Sequence, residues 1–386
     1  MQNRNRGEGM AVLALAMAAF VLNLNSNVMG ALLPFLEGEI GFDLQGGTWL
    51  LAAAGFGSAF GALSVADVAR RWGGRGVLAS SLGLFCVASL AHAFVSSFWP
   101  LLVLRVVAGA ATGLAYAIAS AVAADMAPYE RRGAIMGRFN AGMFLAIPIG
   151  LPLAVWLAHS GLWSVTFVVQ AGVGLVGVLL ALRHVPALPP TETARRLPLL
   201  KNGGVVAILL ATMLHVGSFF TVVQMATSWL DETEVVSKVD QIWVWVGLGL
   251  LSVVGSALFG RVSDRVGKRM FVLITSAILV VCFLALSRGP SPLWLLVIAC
   301  VLAMAAAART GPLQALISGL VPSEQYSALM GLRGFCMQLG IGAFALGASQ
   351  LTRDPKDFGP VFTLAAGCQL LSYIAIRVGV REPKKA

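Results

Sequence analysis

Long apolar runs separated by short polar knots dominate this chain. A helix needs about 20 predominantly apolar residues to cross a hydrocarbon layer ~30 Å thick at ~1.5 Å per residue. Windows of that kind, bounded by charges or turn residues, fall near residues 10–36, 47–68, 76–95, 98–124, 133–158, 162–183, 204–230, 241–262, 270–287, 292–319, 327–351 and 359–380. The pattern therefore predicts an all-α integral membrane protein with twelve transmembrane helices. Residues 184–203 interrupt it, with Pro186, Pro189, Pro190 and Pro198 beside Arg195, Arg196 and Lys201. Such a stretch breaks helices and prefers water, so it reads as a linker between a bundle at 1–183 and a second at 204–386.

A shift of 194 residues superimposes the two halves without a gap. Trp49 then falls on Trp243, Gly55 on Gly249, Ser58 on Ser252, Gly61 on Gly255, Gly73 on Gly267 and Arg75 on Arg269. Farther on, Pro128 meets Pro322, Glu130 meets Glu324, and Ala134, Met136 and Gly137 meet Ala328, Met330 and Gly331. The expectation is two pseudo-symmetric six-helix bundles.

Composition agrees with the pattern: of 386 residues 58% are hydrophobic and 11% charged, against about a quarter charged in a soluble domain. A formal charge of +10 in a soluble protein would suggest nucleic acid; the placement of the cations points elsewhere. Of 27 Lys and Arg, 20 lie in the tails and in alternate loops, and only Lys238, Arg288, Arg353 and Lys356 lie in the opposite loops. This positive-inside bias puts both termini in the cytoplasm and the protein in a cytoplasmic membrane. The five cysteines sit singly within apolar runs, with no metal or redox spacing. Near the N-terminus Asn23, Asn25 and Asn27 interrupt the first apolar run, which reads as a retained helix and not a cleaved leader.

The polar knot Leu258–Met270 carries Gly260, Arg261, Asp264, Arg265, Gly267, Lys268 and Arg269 between two apolar runs. Its charges must lie at the water interface, its glycines permit a sharp turn, and Asp264 is suited to cap a neighbouring helix N-terminus. This spacing resembles the signature loop of the major facilitator superfamily of secondary transporters, which joins helices 2 to 3 and again 8 to 9. The resemblance covers essentially the whole chain. The first-half copy departs from it: Arg70 stands opposite Asp264, and the copy reads Asp67, Arg70, Arg71, Gly73 and Arg75. The resemblance assigns gating to Asp264, Arg265, Gly267, Arg269, Asp67, Arg70, Arg71 and Arg75, and to Arg333 near the end of span 11. Asp125, ending span 4, is expected to pair with Arg70 or Arg71.

Two further arginines lie within spans, where a charge is costly unless it meets a wet cavity or an acceptor. Arg105 precedes Gly109 by four residues, and Arg309 sits in a small-residue stretch before Gly311 and Pro312. In the family, spans 1, 4, 7 and 10 line the cavity. The resemblance therefore implies a substrate site drawn from Arg309, Arg105, Asn23, Asn27, His215, Phe219, Thr221, Gln224, Tyr116 and Gln314. Interhelical hydrogen bonding alone is the competing role for the uncharged members. Gly142, Pro148, Gly150 and Pro152 in span 5 are similar to a degenerate form of the antiporter glycine-proline motif, closest to the sugar and metabolite efflux branch.

All 17 Asp and Glu fall in tails, loops or helix ends. A buried carboxyl is the usual proton-for-cation group in drug antiporters, and its absence beside two arginines favours anionic or polar neutral substrates. Nothing points to catalysis, a metal or a cofactor. The implied function is efflux of a small metabolite or drug by alternating access, with protons as coupling ion and membrane lipid as surroundings. An anion facilitator or exchanger is the alternative, and a non-transporting sensor or scaffold is a third class.

Overall fold

The computed structural model describes residues 2–42, 44–186, 196–233, 238–289, 291–351 and 357–382. Every regular element among them is helical: α1 (Gln2–Ile40), α2 (Leu44–His92), α3 (Phe98–Asp125), α4 (Tyr129–Leu145), α5 (Leu151–His159), α6 (Trp163–His184), α7 (Arg196–Leu199), α8 (Gly203–Thr233), α9 (Lys238–Val266), α10 (Lys268–Leu286), α11 (Pro292–Ser318), α12 (Tyr326–Leu351) and α13 (Gly359–Gly379). A π turn, Ala146–Gly150, joins α4 to α5, and a 3-10 turn, Ser323–Gln325, precedes α12.

Ten helices among the described residues are long and apolar enough to cross a membrane. One of them, Trp49–His92, has 44 residues, far more than one crossing needs. The two spans expected at 47–68 and 76–95 both fall on it, apart from residues 47–48 and 93–95 at its ends, and they part at Gly73, whose φ of 67° is left-handed. Its counterpart under the 194-residue shift, Gly267, has φ 101° and separates α9 from α10. A side chain at either position would clash with its own backbone, so both copies of the knot turn on a glycine. The fifth expected span runs through α4, the π turn and α5 as one stretch, Tyr129–His159. Pro148 lies in the π turn, where its missing N–H leaves an i−4 carbonyl without a donor and the helix widens locally. The α12 helix is not among the ten, and Lys356 and Arg353 lie outside the described residues.

The chain folds as two compact units. Unit 1 holds Met1–Pro128, Arg138–Arg195 and Pro322–Phe335; unit 2 holds Tyr129–Gly137, Arg196–Val321 and Cys336–Ala386. In unit 1, α2 packs on α3 and α6, and α1 on α3, α5 and α6. Its core includes Leu32, Leu36, Leu50, Leu101 and Phe167, all fully buried. In unit 2, α8 packs on α13, α9 on α11, and α10 on α11 and α13. Phe283, Leu279, Val361 and Ala365 form its core. The outward faces are apolar as well, with Phe56, Phe60, Val281 and Val378 exposed. Lipid tails are as apolar as leucine, so burial from water does little to join such helices; close van der Waals packing does it.

Glycine sets that closeness. A Cβ on Gly57 or Gly61 of α2 would lie 2.2 or 2.0 Å from the carbonyl oxygens of Val106 and Ala110. A Cβ on Gly109 or Gly113 of α3 would meet those of Ala54 and Ser58 at 2.2 and 2.0 Å. Two four-residue glycine spacings thus interlock backbone to backbone. The glycine four residues after Arg105 is part of this seam.

Candidate functional site

The knot of unit 2 is held by carboxylates placed on helix starts. Asp264, at the end of α9, accepts the backbone N–H of Gly133 (3.1 Å) and of Ala134 (3.0 Å), the fifth and sixth residues of α4. A carboxylate near the N-terminal, positive end of a helix dipole is favoured. The Nζ of Lys268 lies 2.9 Å from the same carboxylate and 4.3 Å from the Tyr129 ring centroid. Glu382 does the same for α10, accepting the N–H of Lys268 (2.9 Å) and Arg269 (3.1 Å), and it also accepts the Tyr129 hydroxyl (3.3 Å). Sequence reasoning missed Glu382, because nothing in a charged tail marks which carboxylate returns to a helix start.

The two copies share one more device. Arg269 donates from Nη2 to the Arg377 carbonyl at the end of α13 (2.6 Å), and Arg75 donates from Nη1 to the Leu182 carbonyl at the end of α6 (3.4 Å). A cation on the last carbonyls offsets the negative end of the helix dipole. Arg265, Asp67, Arg70, Arg71 and Asp125 are exposed. Arg333 is buried in unit 1, where it interacts with the Tyr116 hydroxyl.

At the polar centre of unit 1, Arg105 is 1% exposed, so the side chain lies within the bundle and does not reach out to the interface. It donates from Nη1 to Asn25 Oδ1 (3.2 Å) and from Nε to the Leu50 carbonyl (3.4 Å), while Asn25 donates to Thr112 Oγ1 (3.4 Å). Asn25 is therefore the span-1 residue on the arginine. Asn23 donates instead to the Met143 carbonyl (2.9 Å), and Asn27 to the Asn23 carbonyl of its own helix (2.7 Å). The i, i+4 spacing drew attention to Asn23 and Asn27, yet at ~100° per residue Asn25 faces away from that stripe, toward α3. The Tyr116 hydroxyl lies 3.2 Å from Asn140 Oδ1 and 3.4 Å from the Met143 sulfur, both acceptors.

Asn25→Ala is expected to cost about 1–3 kcal/mol, because it takes the Nη1 acceptor from buried Arg105 and leaves it the Leu50 carbonyl on Nε; Asn27→Ala, which removes only a bond within its own helix, should cost about a third of that or less. Thermal melts of the purified variants in detergent check the contrast, and equal losses would refute it.

In unit 2 the centre is Arg309, fully buried in α11. Its Nη2 donates to Ser372 Oγ of α13 (3.0 Å), which in turn donates to the Ala211 carbonyl of α8 (2.8 Å). Nε and Nη1 have no hydrogen-bond partner among the described residues. Three residues before Ser372, Gln369 donates to Ser218 Oγ (2.8 Å) and to the His215 carbonyl (3.3 Å) and faces His215 Nδ1 with its own carbonyl oxygen (3.0 Å). The Phe219 ring stacks on His215 at 6.1 Å, and Thr221 donates to the Ile341 carbonyl (3.4 Å). Gln314 is fully buried, and the side chain of Gln224 lies outside the described residues. Four of the ten substrate candidates, Arg309, His215, Phe219 and Thr221, thus lie on or beside one polar ladder of unit 2. Ser372 and Gln369, which join them, carry no motif that would have found them.

The family model of the Major Facilitator Superfamily matches residues 15–345 and 208–386. The chain belongs to the major facilitator superfamily. It is an integral membrane transporter, not an enzyme. A "Probable sugar efflux transporter" of Helicobacter acinonychis (strain Sheeba) is 30% identical over 204 residues, 52% of this chain; the chain spans about half, 51%, of that relative. "Inner membrane transport protein YdhP" of Escherichia coli O157:H7 is 23% identical over 67% of this chain and 68% of its own length. "Multidrug export protein EmrB" of Haemophilus influenzae is 26% identical over 42% of this chain and 32% of its own. Among solved structures, the proton:xylose symporter XylE aligns over 98% of this chain and 97% of its own at a TM-score of 0.81 and 14% identity. The human organic anion transporter MFSD10 aligns over 96% and 99% at 0.75 and 18%. At such identities these two likenesses concern the fold of this facilitator alone.

Proposed function

We propose that this facilitator exports a small organic solute, a metabolite or drug, across a cytoplasmic membrane by alternating access, with proton coupling. Twelve spans carry it, two of them within Leu44–His92 and one formed by α12, in bundles 1–183 and 204–386 joined by the linker 184–203, with both termini in the cytoplasm. The observation that carries the reading is Arg309. A charge sealed in a membrane helix with donors left over is costly for a merely structural part and suits one that meets a polar guest. The export direction is supported by the relatives named for sugar efflux and multidrug export, and the cytoplasmic membrane by the one named for inner-membrane transport.

Reconstitution into liposomes tests it. Preloaded labelled sugars or a cationic dye should leave saturably, with a change of lumenal pH, and Arg309→Gln should lower the rate about 100-fold or more. A rate unchanged in Arg309→Gln would remove the arginine from the site.

A second reading, an organic-anion exchanger, is favoured by Arg105 and Arg309 with no Asp or Glu deep in any span. Saturable anion exchange that leaves a pH gradient intact would select it. For the gate, Asp125 is proposed to pair with Arg70 or Arg71. Charge reversal at Asp125 should then abolish transport, and reversal at one of the two arginines should restore at least a tenth of it; no rescue at either removes the pairing.

A further inference from the structure

We infer that Arg309 is the seat of a single carboxylate group carried by the solute, and that Arg105 of unit 1 is a brace of its own bundle. This deepens the transport reading above by naming a substrate class, and it rests on that reading for its meaning in transport.

Arginine has five N–H donors in a planar fork and no acceptor. Arg309, 0% exposed, commits one of them, on Nη2, to Ser372, and Nε and Nη1 have no partner among the described residues. The fork has two outer edges that each present a pair of parallel N–H groups, one shared by Nε and Nη2, the other by Nη1 and Nη2. A single bond from Nη2 engages one edge at most, so one complete edge stays open whichever of its hydrogens goes to Ser372. Ser372 cannot fill that edge as well: its one hydrogen goes to the Ala211 carbonyl (2.8 Å), which fixes the hydroxyl and the guanidinium with it. In a bilayer such donors cost free energy that only an acceptor recovers. Arg105 differs, because Nε and Nη1, the two nitrogens left over in Arg309, are there bonded to the Leu50 carbonyl and to Asn25.

Charge selects the guest. All 17 Asp and Glu lie in tails, loops or helix ends, so the single positive charge of Arg309 has no carboxylate of its own span to meet. Among the described residues, the other buried Lys and Arg of unit 2 are Arg132, bonded to Ser318, and Lys268, paired with Asp264 in the knot. Ser318 ends α11, nine positions beyond Arg309, which is about 13 Å at ~1.5 Å per residue. Neither cation is therefore placed to share a group seated on Arg309. A carboxylate brings two oxygens at the spacing of one fork edge and one negative charge, which the guanidinium balances. Sulfate or hydrogen phosphate brings a second charge that nothing at this position offsets, and an unpaired charge inside a bilayer is costly. Chloride has the charge without the pair of oxygens.

The test uses the full-length protein in detergent at neutral pH, with sodium acetate, chloride and sulfate at equal ionic strength. It reads the melting temperature and the saturation-transfer NMR signal of the acetate methyl group. Acetate should raise the melting temperature of the wild type above its value in chloride, in a manner that saturates with concentration, and should give a transfer signal. Arg309→Lys, which keeps the charge but not the fork, should bind acetate at least tenfold more weakly, and Arg309→Gln should show neither shift nor signal. Arg105→Gln, or Arg105→Lys where that does not fold, should melt lower and still respond to acetate as the wild type does. Sulfate should raise every melting temperature alike, as an excluded salt. Should Arg309→Gln fail to fold, Arg309→Lys and the contrast of acetate with chloride on the wild type decide between them. A wild type no more stable in acetate than in chloride overturns the inference. So does an acetate response that survives in Arg309→Gln, stays at full strength in Arg309→Lys or is lost in the folded Arg105 variant, and so does a sulfate shift confined to proteins that keep Arg309. All of this is read without flux, so its failure leaves the transport reading standing, and a failure of flux leaves the binding result interpretable.

Discussion

Gly113→Val is expected to yield no monodisperse protein, and Gly113→Ala to lower stability by more than about 3 kcal/mol, beyond the usual ~1–3 kcal/mol for an overpacked core. The reason is local and geometric. A Cβ at position 113 would lie 2.0 Å from the Ser58 carbonyl oxygen and 2.8 Å from its Cα, atoms of a helix backbone that cannot rotate away. Gly61 of α2, whose Cβ would stand 2.0 Å from the Ala110 oxygen, should behave the same way. Gly55 lies on the same helix as Gly61 and has nothing within 4 Å of its would-be Cβ, so Gly55→Ala should be neutral or gain up to about 1 kcal/mol from helix propensity. Size-exclusion profiles and melting temperatures of the three alanine variants decide it. Equal behaviour of Gly113→Ala and Gly55→Ala would show that the seam between α2 and α3 yields, contrary to the packing described above.

Asp264→Ala is expected to cost about 3–5 kcal/mol, the usual loss when one member of a buried pair is left behind. Two backbone N–H groups of α4 lose their acceptor, and Lys268, whose side chain is 3% exposed, loses its counter-charge. The loss should be partly recovered in Asp264→Ala with Lys268→Met, since no charge is then stranded. Hydrogen exchange supplies a local check: the amides of Gly133 and Ala134 should lose protection in the single variant, while the helix interior around Met136 keeps it. Uniform loss of protection along α4 would instead mean that Asp264 supports the helix as a whole.

How much of this was legible beforehand differs between the knot and the polar centres. Gly267, Asp264 and the cations around them stand at fixed offsets in one short segment, and local chemistry dictates their use: a turn needs a glycine and a helix start accepts a carboxylate. The shift of 194 residues likewise announced that Gly73 would turn the chain as Gly267 does, and both have positive φ. By contrast, Asn23 and Asn27 shared a face by spacing while the residue on Arg105 was Asn25. Periodicity orders the positions on one helix but leaves open which neighbour each face will meet.

Apolar runs, breakers and the distribution of cations were enough to determine an all-helical membrane protein of this superfamily, because a bilayer admits few ways to satisfy a backbone and each leaves its period in the sequence. The partners of Arg309 were decided only by the tertiary structure. Ser372 lies 63 positions away and Ala211 nearly a hundred, on helices brought to α11 by packing. The same holds for Glu382 on the start of α10, more than a hundred positions distant. A hydrogen bond is specific over about 3 Å, and no one-dimensional pattern encodes which two distant atoms will come that close.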